Sequence, residues 1–146
     1  MVTHCCLFCF KFKKANYYLY NFKCTWKANS FSACPVQAVG VASKDAFPDS
    51  CFSASSSSSG NEASKGRLYG DGTWSPNNDD NANDYLQIDL LYEFVICAVA
   101  TQGNPSADHW TKTYKLHLSY SSSNWTIYQE NNVDKVGLSY EFRNVC

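Results

Sequence analysis

Cys6 and Cys9 form a Cys-x-x-Cys pair with His4 before it and Cys24 beyond it, the residue types of a zinc or thiol-redox centre. A structural zinc site needs a second pair of ligands at short spacing. Here Cys24 and Cys34 stand ten residues apart, and no histidine follows at ligand distance along the chain. Metal or redox chemistry is therefore the disfavoured reading, and no metal or cofactor is expected. Asp79, Asn81 and Asn83 fall at positions one, three and five of an EF-hand-like loop. Its sixth position is Asp84, where glycine is required, and its twelfth is Leu90, where a bidentate glutamate is required, so an EF-hand is excluded. A solvated polar connection is the expected role of residues 77–84.

Catalytic arrangements fare no better. The chain has no Gly-x-Ser-x-Gly elbow and no phosphate-cradling glycine loop with its lysine. His4, His109 and His117 are each remote from any nucleophile motif, and the adjacent acids Asp79 and Asp80 lie in a polar run typical of a solvated surface. The expectation is a binding protein and not an enzyme.

Composition narrows the class of partner. The chain has 146 residues, one domain's worth, and a formal net charge of −1, so no global field draws it to nucleic acid or acidic lipid. Charge is uneven along it. Residues 1–33 carry five lysines and no acid, which leaves 12 − 5 = 7 basic against 13 acidic residues in the remainder. The same stretch holds four of the eight cysteines. Its only apolar run, residues 5–10, is short and precedes the lysines, the reverse of a secretory signal, and it is far too short to span a bilayer. Residues 1–33 are expected to be an N-terminal extension outside the folded domain.

The elements that would position a site lie further on. Leu86, Ile88 and Leu90 alternate with Gln87 and Asp89, the period-2 pattern of a strand with one face in a core. Residues 94–100 are nearly all apolar and predict a second, more deeply buried strand. Tyr114, Leu116, Leu118 and Tyr120 share one face of a third strand, while Lys115, His117 and Ser119 share the other, which makes His117 a surface histidine by default. Trp125 and Ile127 continue the core pattern after a polar turn. Between the strands lie three loop candidates: the serine tract ending at Gly60, Tyr69-Gly70-Asp71-Gly72-Thr73 with its strong Gly-Asp-Gly turn signal, and the segment from Asn104 to His109. The predicted core comprises Leu86, Ile88, Leu90, Val99, Leu116, Leu118 and Trp125, with Cys97 as a small buried thiol.

Taken in order, Arg67-Leu68, Trp74-Ser75-Pro76, Leu86-Gln87-Ile88-Asp89-Leu90, Val99-Ala100-Thr101-Gln102-Gly103, Trp110, Tyr114-Lys115-Leu116 and Asn124-Trp125-Thr126 resemble successive landmarks of the discoidin domain, also called the coagulation factor 5/8 type C domain. The resemblance covers residues 34–136 and fades after about 136. It implies an all-β fold, an antiparallel β-sandwich of jelly-roll, galactose-binding-like type, occupying residues 34–146 and C-terminally incomplete. It also implies an extracellular or cell-surface adhesion module that binds sugars, phospholipid head groups or proteins such as collagen through loops at one end. Relatives commonly close the domain with a disulfide from the position of Cys34. Cys146 is not in a matching context, and Cys51 stands where a polar residue is expected.

In that frame the groups available for a ligand are Ser57, Ser58, Asp71, Asn104, Asp108 and His109. They form a lectin-like set, polar, small-residue rich and slightly acidic, suited to a glycan or matrix ligand. A protein partner ranks second. Peripheral lipid binding is disfavoured, because an interfacial loop needs apolar tips with basic neighbours and the serine tract has neither. Asn124-Trp125-Thr126 is an N-glycosylation sequon, whereas Pro105 disqualifies Asn104-Pro105-Ser106.

Overall fold

The computed structural model describes residues 7–12, 22–25, 39–78, 81–99, 101–104, 107, 109–121 and 123–138. Their strands are β1 (Leu7–Phe12), β2 (Phe22–Thr25), β3 (Phe52–Ala54), β4 (Tyr85–Asp89), β5 (Val95–Val99), β6 (Thr113–Ser119), β7 (Thr126–Ile127), β8 (Gln129–Glu130), β9 (Val133–Asp134) and β10 (Val136–Leu138). Two short 3-10 turns, Asp49–Cys51 and Ala63–Gly66, complete the regular structure, and no α-helix occurs among the described residues.

Every strand pair is antiparallel. The main sheet runs β10-β6-β1-β4-β3, with β7 pairing β6 beyond the span that β10 covers. β5 pairs with β2 in a second sheet, and β8 with β9 in a small hairpin. The alternation around Gln87 works as its pattern demands. Leu86, Ile88 and Leu90 are fully buried while Tyr85, Gln87 and Asp89 are only partly covered. Ile96 and Val99 of β5 pack against this cluster, so the second sheet closes over the first in two layers. Trp74, Val41, Phe47, Cys51, Phe52 and Leu116 fill the rest. The all-β, antiparallel sandwich is as the sequence predicts.

Several details differ. Leu118 and Val99 are partly covered at the margin of the core, and Trp125 is only half-buried and outside the core cluster. His117 is buried and not a surface residue, because β6 is flanked on both sides: His117 lies opposite Cys9 of β1 and Ile127 of β7. Cys51 is likewise buried, and burial pushes its thiol pKa up, with Asp89 adding to the effect. Residues 39–41 form no strand, although Val41 is a core residue. The side chain of Cys97, and Cys34 and Cys146, lie outside the described residues.

The largest difference concerns residues 1–33. Their charge and cysteine content predict a separate extension, yet Leu7–Phe12 stands in the middle of the main sheet, between β4 and β6, with Phe8 opposite both Ile88 and Leu118. Phe22–Thr25 supplies the partner of β5. Phe8, Phe10 and Phe12 alternate with Cys9 and Lys11, a period-2 signal that the cysteine and lysine content obscured.

A buried arginine ties the segment before β3 to the turn after it. Arg67 Nη1 donates to the Val41 carbonyl at 2.8 Å and Nη2 to the Phe47 carbonyl at 2.6 Å. Nε and Nη2 both donate to Asp49 Oδ1, at 3.2 and 2.8 Å. The guanidinium carbon also lies 4.2 Å from the centroid of the Phe52 ring.

Two outcomes follow from this arrangement. Arg67→Lys keeps the charge but loses the fork, so the buried Val41 and Phe47 carbonyls lose donors; stability by denaturant unfolding should fall by roughly 2–5 kcal/mol. The Arg67 hydrogen bond holds the Asp49 carboxyl below its ordinary pKa, aided by Lys44 and opposed by partial desolvation. A depressed carboxylate stabilises the fold above its unfolded pKa, and that contribution disappears as pH falls through the lower folded value. Asp49→Asn should therefore flatten part of the acid limb of stability against pH, and an unchanged limb would remove Asp49 from it. Deleting residues 1–33 takes out a central strand and leaves two open edges on β4 and β6, so the thermal midpoint should drop sharply. An unchanged midpoint would restore the boundary at residue 33.

Candidate functional site

The registers fix which loops share an end of the sandwich. Lys11 lies opposite both Tyr85 and Lys115, and Leu7 opposite both Asp89 and Ser119, so β4 and β6 run in the same direction. The beginnings of these strands mark one end, and the three predicted loops gather there.

The first loop is fastened to the segment before β4. Ser55 Oγ donates to Asp84 Oδ1 at 2.6 Å and accepts from the Tyr85 amide at 3.0 Å. Ser56 Oγ donates to the same Asp84 oxygen at 3.3 Å and accepts from the Asn77 amide at 3.1 Å. The indole of Trp74, wholly buried, donates to the Ser56 carbonyl at 2.9 Å and to Ser57 Oγ at 3.2 Å. The Ser58 amide donates to the Ser75 carbonyl at 2.8 Å, and the Ser75 amide to the Asn61 carbonyl at 3.2 Å. Serine tracts are flexible when unpartnered. This one is held because Ser55, Ser56, Ser57 and Ser58 each bond a group outside the tract.

The second loop is tied to the segment leading into the third by a bond from the Tyr69 amide to Gln102 Oε1 at 2.9 Å. Tyr69 adopts φ 59°, in the left-handed region, and its side chain is 77% exposed. The Gly70 amide returns to the Arg67 carbonyl at 3.2 Å, and a Cβ on Gly72 would stand 2.9 Å from Lys65 Cδ, a contact that the exposed lysine chain would have to shift to relieve. The third loop closes on itself through the Asn104 amide, which donates to the His109 carbonyl at 2.9 Å.

The residues expected to face a ligand divide accordingly. Ser57 and Ser58 are partly buried and hold the first loop in place: Ser57 accepts from Trp74, and Ser58 Oγ accepts from Asn61 Nδ2 at 3.2 Å. Asp71 and His109 are exposed, and Asn104 is partly covered. Asp108 lies outside the described residues, as do Asp79 and Asp80 of the calcium-like run. Asp84 was expected only as part of a solvated connection. It is instead 2% exposed, with Oδ1 gripping two serines and Oδ2 meeting no hydrogen-bond partner among the described residues. Tyr69 also carries more of the exposed surface than its place in a Gly-Asp-Gly turn suggests. The signals present in the sequence were the acid immediately before the β4 alternation and an aromatic where turn chemistry favours a small residue.

The family model for the F5/8 type C domain matches residues 52–142. The chain belongs to the F5/8 type C domain family. Among curated proteins, neuropilin-2 of Rattus norvegicus and of Homo sapiens are each 39% identical over 75 residues, and that of Mus musculus 37%. These alignments cover 48% of this chain and 8% of each neuropilin-2, so the chain spans less than a tenth of those relatives. No solved structure matches the chain. Domains of the F5/8 type C family are extracellular binding modules, and this chain is a binding module of that general kind. No described helix is long and apolar enough to cross a membrane.

Asp84→Ala should release Ser55 and Ser56 together. The expected loss is about 1–3 kcal/mol, with faster amide exchange at Asn77 and Tyr85, whose amides bond those serines. Unchanged exchange at both amides would show that the clip does not hold the loop.

Proposed function

We propose that the three cross-tied loops hold a glycan, or another polar ligand of the cell surface or extracellular matrix, in a shallow preformed site. The observation that carries this reading is the set of hydrogen bonds joining the loops at one end of the sandwich while leaving Asp71 and His109 exposed. Directed hydrogen bonds from fixed groups suit hydroxyl-rich ligands, since little ordering is left to occur on binding. Asn104 and Asp108 are further candidate contacts, and Ser57 and Ser58 act by fixing the first loop.

Protein recognition is the second reading. Lipid ranks last: the serine loop offers no apolar wedge, and Asp71 would be repelled by anionic head groups. Within the extracellular reading, Asn124 is proposed as an N-glycan acceptor. It is exposed, and its carbonyl accepts from Ser119 Oγ.

The test uses the secreted protein, whose mass should fall on glycosidase treatment if Asn124 is occupied. A glycan array run beside sedimentation with phosphatidylserine liposomes should show glycan binding and little sedimentation. Asp71→Ala should weaken the strongest glycan signal by about tenfold without shifting the thermal midpoint. Strong liposome binding with an empty array would reverse the ranking.

A further inference from the structure

Four exposed tyrosines occur among the described residues: Tyr69 at 77%, Tyr92 at 60%, Tyr120 at 64% and Tyr128 at 40%. Their positions in the topology separate them. Tyr92 follows Leu90 in the turn after β4, and Tyr120 follows the last residue of β6, so both stand at the end away from the three loops. Tyr128 continues the short β7 along the edge of the sheet, where its amide donates to the Leu116 carbonyl at 2.8 Å. Tyr69 alone of the four is placed among the loops, tied to Gln102 just before the third.

Folding does not account for Tyr69. Its φ of 59° lies in a region that glycine or asparagine adopts at less cost than a tyrosine. A ring 77% exposed gives little burial in return. The backbone beneath it is nevertheless well held, by Gln102 on one side and by the Gly70 to Arg67 bond on the other. Arg67 is in turn fixed by Val41, Phe47 and Asp49. The result is a flat aromatic surface on a rigid mount, with the exposed acid Asp71 two positions along and the third loop joined to it by Gln102.

We propose that Tyr69 is a stacking platform for the C–H face of a pyranoside, with Asp71 and His109 taking hydroxyls at the ring edge. A pyranoside presents a patch of C–H bonds on one face and hydroxyls around its rim. An aromatic ring removes the first from water while neighbouring polar groups satisfy the second, and tyrosine loses little side-chain freedom in doing so. The proposal rests on the glycan reading above and adds the residue that supplies its apolar contact.

The probe is a panel of methyl glycosides of glucose, galactose, mannose and N-acetylglucosamine, titrated against the full chain and followed by saturation-transfer NMR. Tyr69→Phe should keep the affinity of the best glycoside within about twofold, whereas Tyr69→Ala and Tyr69→Asn should lower it by about tenfold. Asparagine tolerates the left-handed backbone, so Tyr69→Asn should hold the thermal midpoint and separates loss of the ring from loss of the fold. Saturation transfer should also appear on the pyranoside C–H protons of one face and fade in Tyr69→Asn. If the unaltered chain binds a glycoside and Tyr69→Asn binds it within about twofold, the platform is overturned while the glycan reading stands. If the unaltered chain binds none of the panel, both are overturned.

Discussion

The structure depends on one buried cation. Arg67 reaches two backbone carbonyls that the irregular segment before β3 would otherwise leave without donors, and its remaining donors go to Asp49 at the start of a 3-10 turn. A loop that runs into a core exposes the chain to unsatisfied backbone groups, the main reason loops stay at surfaces. Here one planar, permanently charged fork with fixed donor directions satisfies several groups at once, which a lysine of the same charge cannot do. The ring of Phe52 beneath the guanidinium couples this polar knot to the apolar core, since Phe52 also lies opposite Ile88 in the sheet. Asp49 remains half exposed, so the ion pair itself adds little beyond orientation. The carbonyls are what make the arginine necessary.

From that knot the loop end is assembled by successive polar ties. Arg67 fixes the start of the second loop, Gly70 returns to it, and Tyr69 passes the constraint to Gln102 just before the third loop. Trp74 then carries the chain back under the first loop, where its indole and the carboxylate of Asp84 receive the serines. Trp74 and Asp84 are both buried, so the bonds they make are shielded from competing water and hold the loop more firmly than surface contacts would. A serine-rich segment that composition alone would assign to a flexible linker becomes part of a rigid surface.

Legibility in the sequence followed the length scale of the physics involved. β4 and β6 were readable because alternation is a local property, and Leu86, Ile88 and Leu116 are buried as their spacing demands. The family landmarks added the order of the elements and the end at which the loops meet. What stayed hidden was set by contacts distant in sequence. His117 reads as a surface residue until β1 and β7 flank it. Asp84 reads as one more acid in a polar run until two serines, 28 and 29 residues earlier, close on it. Cys51 reads as a misplaced residue until burial makes it a small apolar one. Leu7–Phe12 was set aside by its composition, although its alternating phenylalanines carried the same kind of signal as β4.

The ties that are absent from the loop surface matter as much as those that are present. A polar site gains only a modest net free energy from each hydrogen bond, because the ligand surrenders bonds to water in making it. Such a site succeeds only when its own groups are already ordered, so that binding does not also consume their freedom. In this chain the ordering is done by residues that do not face outward: Arg67, Trp74 and Asp84 are buried, and Ser57 and Ser58 are partly so. Asp71 and His109 are left exposed on backbone that others hold. That division of labour separates Ser57 and Ser58, whose hydroxyls are bonded within the first loop, from Asp71 and His109, which stand exposed.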